Sequence, residues 1–448
     1  MTASLRRTLS QRDLVLIVVG TVIGSGIFLT PGAVVRASGS GGVALLVWAI
    51  GGVLSLLGAL TFAELGAAKP ESGGLYAYLR DAFGPGVAFV FGWTMFLVIG
   101  SGALATLAAA FARYAAAFLP LSPWGAGTVS IAMIALVAAL NIRGTRQSAD
   151  VQGAATVLKA GVIVLLAVLL IATGAATAAG AASDPWWPES ISIGTLSGAL
   201  TGMIGVLWAY EGWQYVTFSA GETVDPQRTF ARGIVIGTAL LIGIYVLANA
   251  GYMSALGVDG VASSERVASD AAARVLGAWA GKLLAGIILV SILSAANGLM
   301  LTLPRLFYAM ARDRIFFAKL ADVHPRFGTP AAAILGTGAW ASVLVLSGTF
   351  EQLLTYVVFM SWLWFALAAA AIFAYRRREP AAHRPFRTPG YPVTPALFIF
   401  AALVIVGNTI VAQPVQSLLG VGLAALGVPA YLVWRSRRAV SVEVTAPS

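Results

Sequence analysis

The 448-residue sequence contains no cysteine and only two histidines, His324 and His383. The first absence excludes disulfides, thiolate chemistry and a covalent bridge to a partner chain. Both histidines fall in stretches that read as loops, so neither a buried metal site nor a histidine proton relay is expected, and no cofactor is assigned. Charge is scarce as well. Asp, Glu, Lys and Arg make up 10% of the chain, against roughly a quarter in an ordinary soluble domain.

What remains is apolar: 59% of the residues are hydrophobic and the mean hydropathy is +0.87. Stretches near the roughly 20 residues needed to cross a bilayer recur along the whole chain. They lie near 13–36, 41–63, 84–118, 124–142, 150–173, 194–220, 231–252, 279–304, 330–348, 351–374, 393–411 and 416–434. Residues 1–448 therefore read as a single all-α polytopic membrane domain with twelve transmembrane helices.

An even number of spans puts both termini on one side. Placing them in the cytoplasm also places there "SLRRTLSQR", Arg143 and Arg146, "ETVDPQRTFAR", "RLFYAMARDRIFFAKLADVHPRF", "YRRREPAAHRPFR" and "WRSRR", as the positive-inside rule requires. The net charge of +10 is thus spread over cytoplasmic loops, where it orients the chain and meets anionic lipid. It does not gather on a nucleic-acid-binding face. The basic start runs into the first span without a small-residue cleavage pattern, so an uncleaved inner-membrane protein is expected.

The first span carries "TVIGSGIFLTPG", and over its whole length four glycines and a proline. Glycine weakens a helix by roughly 1 kcal/mol relative to alanine, and in hydrocarbon every freed backbone group needs another partner. Five spans later the sixth is interrupted by "AYEGWQ". Discontinuous helices at corresponding positions of two inverted repeats mark the substrate site of many transporters. The repeats would be 13–173 and 194–374, followed by two additional helices at 393–434. Unwinding at "GSGIF" would free the Gly24, Ser25 and Gly26 amides, at the positive end of a half-helix, to bind a carboxylate. Small residues at such spacing also serve close helix packing. Two ionisable residues lie inside spans, where each is costly: Lys159, about nine residues or roughly 14 Å into the fifth span, and Glu211 in the sixth.

"GTVIGSGIFLTPG", "ESGGLYAYLRDAFGP", "WAYEGWQYVTFSAGETVDPQRTFARG" and "SAANGLMLTLPRLFYAMARDR" together resemble the amino acid–polyamine–organocation superfamily, most nearly its L-type amino acid transporter branch. The resemblance covers nearly the whole chain. It implies the LeuT-type fold, with broken helices 1 and 6. It places the substrate's carboxylate and amino group at Ile23, Gly24, Ser25, Gly26 and Ile27 and at Trp208, Ala209, Tyr210, Glu211 and Gly212, with Trp208 as an aromatic gate. Phe359 and Trp362 match positions that shape the far side of the pocket, or else they pack in the membrane core. Lys159 matches a lysine that stands in for a sodium ion in related transporters, which implies sodium independence. Glu64, Glu222, Arg228 and Arg232 match inner-gate charges, and Asn297 and Gly298 a close contact with the first helix.

Glu211 leaves three roles open: pairing with a cationic substrate, accepting hydrogen bonds from freed helix amides, or standing protonated away from substrate. The reading reached is an alternating-access exchanger of small to medium neutral L-amino acids, not an enzyme, and a monomer or weak homo-oligomer. The alternatives are proton symport, or cationic amino acid or polyamine antiport using Glu211.

Overall fold

Ser10 starts the first helix as the sequence "SQRD" allows. Its hydroxyl accepts from the Asp13 amide, while the Asp13 carboxylate accepts from the Ser10 amide at 2.8 Å, a reciprocal cap. Helix α1 then runs over Gln11–Val22 and stops. After a break at Ile23–Ser25 the span resumes as α2, Gly26–Leu29, and α3, Pro31–Ser38, with Pro31 at a first helical position where it has no carbonyl to bond.

The computed structural model describes residues 5, 7–177, 186–347 and 350–443. Both chain ends, expected in the cytoplasm, and residue 348, the expected end of the ninth span, lie outside them. Among the described residues the regular structure is helical apart from one isolated bridge between Leu9 and Thr223. Helix α4 is Gly41–Ala68 and the short α5 is Leu75–Phe83. The third span joins α6, Pro85–Thr94, to α7, Gly100–Ala115, through a π-helical turn at Met95–Ile99. Helices α8, Pro123–Arg143, and α9, Thr145–Thr177, follow.

The sixth span is α10, Ile193–Ala209, then a turn, then a 3-10 helix at Trp213–Glu222. Beyond it come α11, Pro226–Ser263, α12, Val267–Leu276, α13, Ala278–Thr302, and α14, Pro304–Arg312. The chain closes with α15, Ala331–Ser347, α16, Phe350–Arg378, α17, Val393–Ala412, α18, Pro414–Ala425, and α19, Gly427–Glu443.

Among the described residues eleven spans are long and apolar enough to cross a membrane, and α15 is a shorter apolar helix of 17 residues. The all-α polytopic expectation holds, in agreement with the LeuT-type architecture. Several helices outrun the apolar windows. Helix α9 begins at Thr145 and α16 reaches Arg378, because polar residues extend a helix past the hydrocarbon that hydropathy detects.

The first broken span sits in the middle of the protein, and the sixth, 44% buried, packs in less deeply. The first is 78% buried within the protein, against 22% for the last, Pro414–Arg435. Helix α1 packs on α9, α11 and α13, so the backbone groups freed at its break meet protein rather than lipid, the one setting in which irregular backbone is tolerated at membrane depth.

Candidate functional site

The break in the first span is made by close approach. A Cβ on Gly26 would lie 2.5 Å from Cα of Ala209, so only glycine lets the two broken spans touch there. The Gly24 amide turns back to the Val22 carbonyl at 2.7 Å, and the Ile23 carbonyl is left without a helical partner. Two side chains take up that carbonyl. Lys159 Nζ donates to it at 2.6 Å and Ser291 Oγ at 3.1 Å.

Lys159 is 1% exposed. It donates also to the Gly20 carbonyl at 2.6 Å and the Ser291 carbonyl at 3.2 Å, so three acceptors surround an ammonium with three N–H bonds. The fifth span is thereby tied to both the first and the eighth. On the other side of the break the Tyr245 hydroxyl lies 3.0 Å from both the Val22 and Ala209 carbonyl oxygens, so α11 spans the two interruptions.

The amides of Ser25, Gly26 and Ile27 donate to no carbonyl among the described residues. The buried hydroxyls of Ser25 and Thr21 have no partner there either. Gly24 therefore drops out of the expected set of free amides, since its N–H is consumed locally, and Ile27 joins it.

In the sixth span the helix ends at Ala209 and reverses at Gly212, whose φ of +131° favours glycine. Glu211 stands in this turn, 8% exposed. Its Oε1 accepts from Gln214 Nε2 at 2.7 Å, the Tyr215 hydroxyl at 3.1 Å and Ser361 Oγ at 3.3 Å. Two of those donors belong to the 3-10 segment and one to α16.

A cavity of about 20 Å³ lies between the breaks, lined by Ser25, Gly26, Ala103, Leu107, Trp208 and Glu211 among others. That is room for about one water, so in this conformation no amino acid fits and the halves must part to admit one. The structure brings Gly24, Ser25, Gly26, Trp208 and Glu211 to the cavity wall. Ile23, Ile27, Ala209 and Gly212 form the breaks without lining it, and Lys159 stands behind, on the carbonyls. Tyr210 instead packs on Trp48 and Tyr245, with ring centroids 6.1 and 5.0 Å away.

Neither Phe359 nor Trp362 reaches the cavity. Trp362 packs on Phe365 and Phe398, and Phe359 lies against Gly420 of α18. From α16 it is Ser361 that meets Glu211, one position away from where the pattern of large aromatics points. The cavity residues missing from the sequence reading are Thr21, Val22, Ala103, Leu107, Tyr215 and Leu299. Most of these are apolar residues on apolar helices and carry no signal that separates them from lipid-facing neighbours.

The expected gate charges pair differently. Glu222 bonds Arg305 of α14, Nε to Oε1 at 2.6 Å, with the pair 1% and 0% exposed, and Thr145 joins it at 3.0 Å. Glu64 takes a bidentate pair from Arg376 at 2.9 and 2.8 Å and the Thr388 amide at 2.6 Å. Arg228 is exposed and, among the described residues, pairs only with Asp225, at 3.8 Å. The amides of Thr8 and Leu9 donate to the Glu222 carbonyl at 2.8 and 3.0 Å, which pins the N-terminal segment beneath the sixth span. Gly298 does press on the first helix, where a Cβ would meet Thr21 Oγ1 at 2.2 Å. Asn297 turns instead to Asn141 and the Ser148 carbonyl, at 2.8 and 3.1 Å.

Two buried broken helices, meeting at a closed cavity walled by free amides and a carboxylate, define a membrane transporter rather than an enzyme. The chain belongs to the amino acid permease family, whose model matches residues 9–432, within the amino acid–polyamine–organocation superfamily and among its L-type members. It is similar to the serine/threonine exchanger SteT of Bacillus subtilis (strain 168), 32% identical over 94% of this chain and 95% of that protein. It is similar also to the cystine/glutamate transporter of Homo sapiens, 31% identical over 98% and 89%. The human b(0,+)-type amino acid transporter 1 is 30% identical over 92% and 84%. The chain is an amino acid transporter.

Proposed function

We propose that the protein exchanges small to medium neutral L-amino acids across the cell membrane by alternating access, independently of sodium. The observation that carries this is the pair of free amides at Ser25 and Gly26, opening on the cavity at the N-terminus of a half-helix. That arrangement suits a carboxylate through both hydrogen bonding and the helix dipole. Ile23 and Ile27 fix the turn, and Trp208 with Ala209, Tyr210, Glu211 and Gly212 supplies the facing wall and the acceptor for the amino group. Leu107, Leu299 and Trp208 bound the side-chain volume, which favours small substrates, as does the likeness to a serine/threonine exchanger.

Lys159 serves as a fixed cation at the break, holding two carbonyls of the first span and one of the eighth. The moving parts are spans 1, 2, 6 and 7, rocking against 3, 4, 8 and 9, within two inverted repeats at 13–173 and 194–374 followed by two further helices. The five-span offset between the breaks supports that division. The Lys- and Arg-rich loops put both termini in the cytoplasm. The chain acts without a disulfide-linked heavy subunit, as a monomer or weak homo-oligomer.

A second reading rests on Glu211. Its carboxylate borders the cavity, where it could pair with a cationic amino acid or polyamine, or carry a coupling proton. The three donors already on Oε1 favour the structural role.

The test is uptake of labelled alanine or serine, without sodium, into proteoliposomes either preloaded with unlabelled amino acid or empty, at symmetric pH. Uptake confined to preloaded vesicles supports exchange. Uptake into empty vesicles that rises with an imposed proton gradient replaces exchange by symport, and uptake of arginine or putrescine alone moves the assignment to Glu211.

A further inference from the structure

On the outside of the bundle, away from the substrate cavity, α8, α9 and α13 leave a groove of about 340 Å³ walled by Leu136, Val137, Leu140, Val151, Ala155 and Leu293. Leu136 and Val151 are 58% and 46% exposed, so the groove opens sideways toward the bilayer. At its end stands Arg143, the last residue of α8. Arg143 also lines a second, polar pocket of about 270 Å³ together with Thr145, Arg146, Gln147 and Arg326.

Charge in this second pocket is unbalanced. Among the described residues no Asp or Glu lines it. Arg146 is committed to Asp13 at 2.8 Å and to Asp150. Arg143, by contrast, makes no hydrogen bond or ion pair among the described residues, and the Arg326 guanidinium only stacks over Phe327, 5.4 Å from its centroid. The loop carrying Arg326 is held in place, since Thr329 Oγ1 donates to the Ile142 carbonyl at 2.8 Å, and this brings Arg326 beside the end of α8. The pocket floor is the first turn of the 33-residue helix α9, whose leading amides have no helical carbonyl to bond and whose dipole favours an anion.

We propose that this paired groove and cradle is a binding site for one anionic phospholipid of the leaflet on the Arg-rich face, read above as cytoplasmic. The phosphate sits on Arg143, Arg326 and the α9 amides, and an acyl chain lies in the groove. Guanidinium matches phosphate in a bidentate fork, and basic pockets between transmembrane helices suit anionic headgroups. Arg143 belongs to both cavities, which selects a lipid over a free phosphate: headgroup and chain positions are continuous. On the groove wall Asn297 hydrogen-bonds Asn141 at 2.8 Å and reaches the Ser148 carbonyl, so a seated chain braces α8, α9 and α13 together.

The full-length protein, purified in detergent and stripped of lipid, is titrated with phosphatidylglycerol, phosphatidylcholine or inorganic phosphate, with native mass spectrometry and thermal stability as readouts. The expected result is one phosphatidylglycerol per chain and a raised melting midpoint. Affinity should fall at least about tenfold in Arg143→Gln/Arg326→Gln, the loss of one or more charge-assisted hydrogen bonds, and also in Ala155→Trp, which fills the groove and leaves the cradle intact. Equal binding of phosphatidylcholine overturns the proposal. So does stabilisation by inorganic phosphate that matches phosphatidylglycerol, or lipid retention unaffected in Ala155→Trp. Should the double arginine variant fail to fold, Ala155→Trp, at a bilayer-facing position, decides the question.

Discussion

Lys159 Nζ and the Ile23 carbonyl oxygen are 2.6 Å apart, and the contact joins the middle of one transmembrane helix to the first residue at which another comes undone. The Lys159 Nζ fills the place of the missing helical N–H donors. Its other two bonds, to Gly20 and Ser291, make the break a junction of three spans.

Removing that junction leaves the Gly20 carbonyl unpaired, at about 1–3 kcal/mol, and the Ile23 carbonyl with Ser291 Oγ alone. Lys159→Ala is expected to lower thermal stability and to reduce amino acid exchange by at least about tenfold. Size-exclusion thermal shift read alongside proteoliposome uptake checks both. Full exchange activity in Lys159→Ala would show that the carbonyls need no cation.

At the contact between the two breaks, Gly26→Ala places a methyl 2.5 Å from Cα of Ala209. Overpacking of this kind costs about 1–3 kcal/mol, and here it pushes apart the segments that form the cavity, so transport is expected to be abolished. Ala209→Gly should fail to restore it, because the collision is with backbone. Gly161→Ala on the fifth span, where a Cβ meets nothing within 4 Å, is expected to transport normally. Uptake by the four proteins decides the matter.

Glu222 and Arg305 form a buried ion pair on the face that carries the N-terminal segment. Losing one partner of such a pair costs about 3–5 kcal/mol, whereas replacing both is far less costly. Arg305→Met is expected to destabilise strongly and Glu222→Gln/Arg305→Met to regain most of the loss. A double-mutant cycle on melting midpoints measures it, and additive single effects would mean that the two charges do not act as a pair.

Glu211→Gln keeps an oxygen able to accept from Gln214, Tyr215 and Ser361. If the residue is a structural acceptor, uptake of neutral amino acids changes by no more than about threefold and loses no proton dependence. A selective loss of cationic substrates in a side-by-side uptake panel would instead make it a substrate ligand.

Outside the spans, Asp81 is pushed up by burial but held below the usual carboxylate range overall by hydrogen bonds and charge from Arg80 and Lys69. A folded-state value below the unfolded one contributes stability above the unfolded value of about 3.9, and that stability is lost as pH falls through the folded value. Asp81→Asn is therefore expected to be less stable than the parent near neutrality and to lose less on acidification below about pH 4. Melting midpoints across pH 3–7 follow it. Parallel curves for the two proteins would remove Asp81 from acid unfolding.

Much of this was readable from the chain itself. Absent cysteine and scarce charge with recurring apolar runs impose a helical membrane protein, because only backbone bonded within its own segment survives in hydrocarbon. Gly26 and Gly212 announce the breaks, since each occupies a position a side chain cannot. Lys159 and Glu211 stand out because a charge at that depth needs a partner.

The partners themselves were not readable. Glu222 meets Arg305, 83 residues on, rather than the nearby Arg228, and α16 contributes Ser361 rather than its aromatics. On a helix apolar all round, hydropathy has no periodicity from which to choose a face, so Ala103, Leu107 and Leu299 could not be told from lipid-facing residues. The sequence alone determined that the chain crosses the membrane repeatedly as helices, where it breaks, and that Lys159 and Glu211 are buried. Only the tertiary structure decided which side chains meet at the break, because a one-residue step turns a helix by about 100° and packing against neighbouring spans sets that rotation.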